Sequence, residues 1–163
     1  MMWSMDSRKK KGLYNKVGPP TSFGCITADD KGKAYAGGAN SGIYIWNGSS
    51  LMKVLYVHEK GFIGSLTWLN DTLYSGGRDG KVCITDTNTL ECTKAISFGA
   101  LPRAIDVLNN KLLVGLRTGS IVECNMETDE MNTVMQSHND GEIWGLCFND
   151  DYVFTSADDN QVK

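Results

Sequence analysis

Short stretches in which apolar and polar residues alternate recur along the whole chain, and each closes in a turn rich in glycine or asparagine. Alternation with a period of two is the pattern of a strand with one buried face. The turns themselves align. Ala36-Gly37-Gly38-Ala39-Asn40-Ser41-Gly42-Ile43 matches Ser75-Gly76-Gly77-Arg78-Asp79-Gly80-Lys81-Val82, then Val114-Gly115-Leu116-Arg117-Thr118-Gly119-Ser120-Ile121, then Thr155-Ser156-Ala157-Asp158-Asp159-Asn160-Gln161-Val162, in steps of 39, 39 and 41 residues. The tips hold Asn, Asp or Gly, which accept the positive φ of a tight hairpin. Each unit is therefore expected to hold four short antiparallel strands. In the second unit they fall at 63–68, 72–76, 82–86 and 92–96, and in the third at 103–107, 111–115, 120–125 and 131–135. No helix beyond two turns is expected, and about fifteen to seventeen strands in all.

A period near 40–45 residues with glycine hairpins and a hydrophobic-Trp-Asp-like strand end is the signature of WD40 propeller blades. The third strand of each unit ends in such a dipeptide, here degenerate: Trp46-Asn47, Thr85-Asp86 and Cys124-Asn125. Trp3-Ser4 lies 43 residues before Trp46-Asn47, so residues 1–5 read as the third strand of an earlier blade and 8–16 as its fourth strand and exit. The expected class is all-β, a WD40 β-propeller with about four blades present and incomplete at both ends. The segments are 1–20 (end of a preceding blade and its connection), blades at 21–58, 59–98 and 99–138, and a partial blade at 139–163. Closed propellers have roughly 4–8 blades, so an interior fragment of a longer protein is expected.

The two histidines occupy one phase of this repeat. His58, Ser75 and Asp79 are spaced 17 and 4 residues apart, as are His138, Thr155 and Asp159, 80 residues further on. A Ser-His-Asp set invites a hydrolase interpretation. Two copies at identical phase, without a Gly-x-Ser-x-Gly elbow, point instead to structural hydrogen-bond networks. In each, the carboxylate would take one imidazole nitrogen and the hydroxyl the other.

Composition narrows the function classes. Net charge is −3, which gives no global argument for nucleic acid. No run of about 18 apolar residues exists, so no membrane span is expected, and residues 1–11 are unlike a secretory signal. The five cysteines, Cys25, Cys83, Cys92, Cys124 and Cys147, form no Cys-x-x-Cys pair and read as buried free thiols within strands. Zinc, phosphate-loop and calcium-loop spacings are absent, and no cofactor is expected. Trp68 and Trp144 are expected as core or inter-blade filler. The run Arg8-Lys9-Lys10-Lys11 stands out as either a solvated edge or a contact for an acidic partner.

The local wording resembles one family. His138-Asn139-Asp140-Gly141-Glu142-Ile143-Trp144-Gly145-Leu146 is similar to the His-to-Trp-Gly-Leu segment of the echinoderm microtubule-associated protein-like family. Ser75-Gly76-Gly77-Arg78-Asp79, Leu101-Pro102-Arg103-Ala104-Ile105, Leu113-Val114-Gly115 and the stretch from Trp3-Ser4 to Lys9-Lys10-Lys11-Gly12-Leu13-Tyr14 also resemble it, in order along the chain. The resemblance implies a non-enzymatic interaction scaffold of a microtubule-associated protein. Its partners would be tubulin or microtubule-associated proteins, with no nucleic acid and no membrane. It would sit in the cytoplasm on the microtubule cytoskeleton, or in the cilium. The alternative is a WD40 adaptor of an unrelated complex, in signalling or ubiquitin transfer.

Overall fold

The computed structural model describes residues 21–136, 142–149, 151–159 and 162, and the backbone of residues 2–3 and 10–11. The described residues form sixteen strands and no helix. β1 (Met2–Trp3) pairs with β2 (Lys10–Lys11). The first four-stranded sheet is β3 (Phe23–Ala28), β4 (Lys33–Gly38), β5 (Ile43–Asn47) and β6 (Ser50–Leu55). The second is β7 (Ile63–Leu69), β8 (Thr72–Gly77), β9 (Lys81–Asp86) and β10 (Cys92–Ser97). The third is β11 (Pro102–Leu108), β12 (Lys111–Leu116), β13 (Ser120–Asn125) and β14 (Met131–Gln136). β15 (Ile143–Phe148) pairs with β16 (Val153–Ala157), and a bridge from Ser156 to Val162 extends that sheet. Every pairing is antiparallel between strands adjacent in sequence. These are propeller blades, in an incomplete set, as the repeat predicts. Strand bounds differ from the predicted ones by one residue at most in the second and third sheets.

The core lies between blades rather than within one. Tyr35, Ile43, Ile45 and Leu55 of the first sheet pack with Ile63, Leu66 and Leu73 of the second. Tyr74, Val82 and Ile96 of the second pack with Ile105, Val107, Leu112 and Val114 of the third. Ala104, Leu113 and Ile121 of the third pack with Ile143 of the fourth. Burying each Leu or Ile contributes roughly 1.5–3 kcal/mol. No single sheet can bury both faces alone, so the stabilisation is shared across blade boundaries. Hydrogen bonds cross the same boundaries. The Thr67 hydroxyl donates to the Ile105 carbonyl at 2.7 Å, and the Phe148 amide to an Asp106 carboxylate oxygen at 2.9 Å.

The first strands β3, β7, β11 and β15 lie side by side at the centre. Each carries a one-residue bulge at the same place. The register skips Gly24 between Phe23 and Cys25, Gly64 between Ile63 and Ser65, Arg103 between Pro102 and Ala104, and Trp144 between Ile143 and Gly145. The outermost strands repeat the device. Their register skips Met52, Thr93 and Val134 against β5, β9 and β13. A bulge re-aims one side chain and increases local twist, and on an outer strand it blunts edge-to-edge pairing.

Two expectations need correction. Cys25, Cys83 and Cys124 are sheltered free thiols, but Cys92 and Cys147 are exposed. Cys92 opens β10, the outermost strand of its blade, where one face meets solvent. Trp144 is not filler: it is 54% exposed, because the bulge turns it out of the alternation that would bury it. Trp68 does pack against the core between the first two blades.

Candidate functional site

The loop after β6 delivers His58, β8 delivers Ser75, and the β8–β9 hairpin delivers Asp79. Antiparallel pairing brings the three together. His58 Nδ1 lies 3.0 and 3.1 Å from the two Asp79 carboxylate oxygens, and Nε2 lies 2.9 Å from Ser75 Oγ. The Asp79 carboxylate also accepts from the backbone N–H of Glu59 at 3.1 Å and of Lys81 at 3.2 Å. Burial pushes the Asp79 carboxyl up, but attraction to His58 and these hydrogen bonds outweigh it and hold the group below the usual carboxylate range. The His58 side chain is 0% exposed, and so is Ser75. A nucleophile needs access to substrate, so this hydroxyl has no route to act as one.

Thr155 is buried in β16, and Asp159 follows it in the turn. His138, the third member of that set, lies outside the described residues. Arg8 and Lys9 lie outside them as well. Lys10 and Lys11 form β2, opposite Trp3 and Met2.

A second constellation escaped the sequence reading. Residues of all four first strands, with Phe62, line an open depression of about 290 Å³. The four bulged residues meet there. At Gly24 an added Cβ would sit 2.1 Å from the Phe62 ring, and at Gly64 2.5 Å from the Pro102 carbonyl oxygen, so both positions stay bare. The other two carry large side chains. The Arg103 guanidinium lies 4.6 Å from the centre of the Trp144 ring and 5.5 Å from that of Phe62. Glu142 ion-pairs with Arg103 and, at 2.8 Å, with Arg117 Nε. The Trp144 indole N–H donates to Asp158. The Glu142 backbone N–H and that indole hold the Asp158 carboxyl below its usual range.

Beside it, a cleft of about 410 Å³ opens between the second and third blades, lined by Arg78 and Arg117 among others. These two arginines stand at matching places after β8 and β12. Arg78 is exposed and, among the described residues, has no carboxylate partner.

Blades of this form, repeated at this period, define a WD40-repeat propeller. The WD domain, G-beta repeat profile matches residues 49–86 and 130–163. The chain carries WD40 repeats, and its homologues include microtubule-associated and ciliary WD proteins. It is 41% identical over 165 residues to the ciliary WD repeat-containing protein ctxp80 of Euplotoides octocarinatus, covering 99% of this chain and 23% of that protein. It is 28% identical over 155 residues to human echinoderm microtubule-associated protein-like 2 (89% of this chain, 24% of the relative). It is 26% identical over 156 residues to the rat echinoderm microtubule-associated protein-like 1 (89% and 19%). The chain thus spans less than a quarter of each of these relatives. Among solved structures, the computationally designed Ika4 protein matches with a TM-score of 0.78 at 21% identity, covering 95% of this chain and 97% of that one. The WD40 β-propeller domain of Doa1 matches with a TM-score of 0.76 at 17% identity, covering 86% and 49%.

Proposed function

We propose that this chain is part of a non-enzymatic scaffold that binds tubulin or microtubule-linked partners, in the cytoplasm on microtubules or in the cilium. The carrying observation is the 41% identity to a ciliary WD protein across 99% of the chain, with microtubule-associated relatives matching 89% of it. The sealed His58-Ser75-Asp79 set supports a non-catalytic reading: its role is to fix the blade, as each unpaired member would cost about 1–3 kcal/mol. The run Arg8-Lys9-Lys10-Lys11 is the proposed contact for an acidic partner. Exposed pairs at such a contact act mainly on encounter rate and fade with salt, since screening acts within about 8 Å at physiological ionic strength.

The intact protein should co-sediment with polymerised tubulin, or retain soluble tubulin on beads, and do so less as salt rises. Neutralising Lys9, Lys10 and Lys11 together should weaken retention further. Unchanged binding in the triple variant across a salt series would reduce the run to a solvated edge. No tubulin binding by the intact protein would move the assignment to an adaptor of another complex.

A further inference from the structure

We infer that Asn47 is a site of spontaneous covalent modification, at which the Gly48 backbone nitrogen attacks the Asn47 side-chain amide and the residue becomes a mixture of isoaspartate and aspartate. This goes beyond the proposed function and does not rest on it.

The first support is the neighbour. Attack on an asparagine Cγ by the next backbone nitrogen is hindered by any side chain on that next residue, and glycine alone leaves the approach open. The chain holds twelve asparagines, and only Asn47 is followed by glycine. Nothing lies within 4 Å of the place a Cβ on Gly48 would take, so no other part of the chain closes the approach either.

The second support is that both reacting groups are free. Asn47, Gly48, Ser49 and Ser50 are all exposed, in a two-residue hairpin where Asn47 pairs with Ser50. Gly48 has a φ of +58° and Ser49 stays outside the positive range, the pattern of a type II′ turn. Among the described residues the Gly48 N–H has no backbone partner, and the Asn47 amide makes no hydrogen bond. The residues that end the matching strands are committed. Asp86 Oδ1 accepts from the N–H groups of Asn88 at 2.7 Å and Thr89 at 3.0 Å. Asn125 Oδ1 accepts from those of Glu127 at 2.9 Å and Thr128 at 3.3 Å. The longer connections from Asp86 to Cys92 and from Asn125 to Met131 leave room for such a cap. The tight hairpin after β5 does not. Asp79-Gly80 shows the converse: glycine follows, but His58 and two backbone N–H groups clamp the carboxylate and bar the same ring closure.

The atoms balance with water alone. The Gly48 nitrogen gives its proton to solvent and bonds to Asn47 Cγ. The side-chain nitrogen takes up a proton and leaves as ammonia, and a five-membered succinimide remains. Water then opens that ring at Cγ, giving aspartate, or at the backbone carbonyl carbon, giving isoaspartate. Ring closure turns Asn47 about ψ, which opens only the Asn47–Ser50 pair at the hairpin tip. Isoaspartate then lengthens the main chain by one atom beside a two-residue turn and adds a negative charge. The next pair is Trp46 with Leu51, and Leu51 is buried, so the change strains the start of β6.

The test holds the full chain in mildly alkaline buffer and follows its asparagine peptides by mass over time. Isoaspartate is counted by methyl label transferred from S-adenosylmethionine by an isoaspartate-specific carboxyl methyltransferase. The Asn47 peptide should gain about 1 Da and take up the label. It should convert about tenfold faster, or more, than the peptides of Asn40, Asn125 and Asn149, and Gly48→Ala should slow it by a similar factor. Asn47→Gln can close only a six-membered ring and should lose most of the label while melting as the wild type does. That variant keeps the result readable even where Gly48→Ala loosens the hairpin. The inference is overturned if the Asn47 peptide of the folded chain keeps its mass over the time in which a short Asn-Gly peptide converts. It is equally overturned if Asn40, Asn125 or Asn149 converts as fast, or if Asn47→Gln takes up label to the wild-type level.

Discussion

His58 shows how one side chain can tie three elements. Its two ring nitrogens reach the loop after β6 to β8 and to the following hairpin, through Ser75 and Asp79. Replacing His58 with Ala leaves a buried carboxylate and hydroxyl short of partners, so chemical denaturation should show a loss of about 1–3 kcal/mol. The sign of the pH effect follows from Asp79. Its folded pKa is depressed, so its contribution is full above the unfolded value of about 3.9 and lost as pH falls through the lower folded value. The difference in Tm between wild type and Asp79→Asn should therefore shrink as pH falls below about pH 4. A gap that widens on acidification would contradict it. This set was legible because its spacing, 17 and 4, repeats 80 residues on. Arg103 and Trp144 were not, because their role depends on a bulge. One signal was available all the same. Matching places hold Gly24, Gly64, Arg103 and Trp144, a mixture that no close-packed core position would accept.

Among the elements, the β8–β9 hairpin is where backbone and network meet most tightly. Gly77 ends β8, and an added Cβ would lie 2.3 Å from His58 Nδ1 and 2.8 Å from Asp79 Oδ1. Gly77→Ala must push the imidazole away from its partners. It should cost about 1–3 kcal/mol, the usual range for an overfilled interior, as a lower urea midpoint at unchanged slope. Gly48→Ala makes a control: nothing lies within 4 Å there, and its cost should come only from a φ of +58°. Most hairpins were readable from Gly, Asn and Asp at their tips, since those residues adopt such angles cheaply, whereas Ser41 and Leu90 take the same angle without that signal. The bulges were not readable from alternation. A single inserted residue shifts the phase by one, and in strands this short the shift is hidden among Gly and mixed residues.

At the scale of the molecule, cysteines report how far the blades act together. Burial pushes the Cys25 and Cys83 thiols up to about 12, and raises that of Cys124 too, so all three stay protonated and slow to react. Exposed Cys92 and Cys147 should be modified by an aromatic disulfide reagent at once at pH 8, and the other three only on unfolding. Because each core cluster spans two blades, the three should become reactive over the same urea range. If Cys25 opened at lower urea than Cys83 and Cys124, the first blade would be an independent unit. Repeat length and blade form were legible because one hydrophobic pattern recurs; the depression among the first strands is not written in any single repeat and arises only where four meet. The bulges in the first strands have a consequence for how such a chain can change. A residue outside the ladder can be exchanged without shifting any partner's register. Of the four such places, Gly24 and Gly64 are closed by neighbouring atoms, which leaves 103 and 144 open to substitution. The surface of that depression can thus be rewritten at two positions, by evolution or by design, while the scaffold that presents them stays the same.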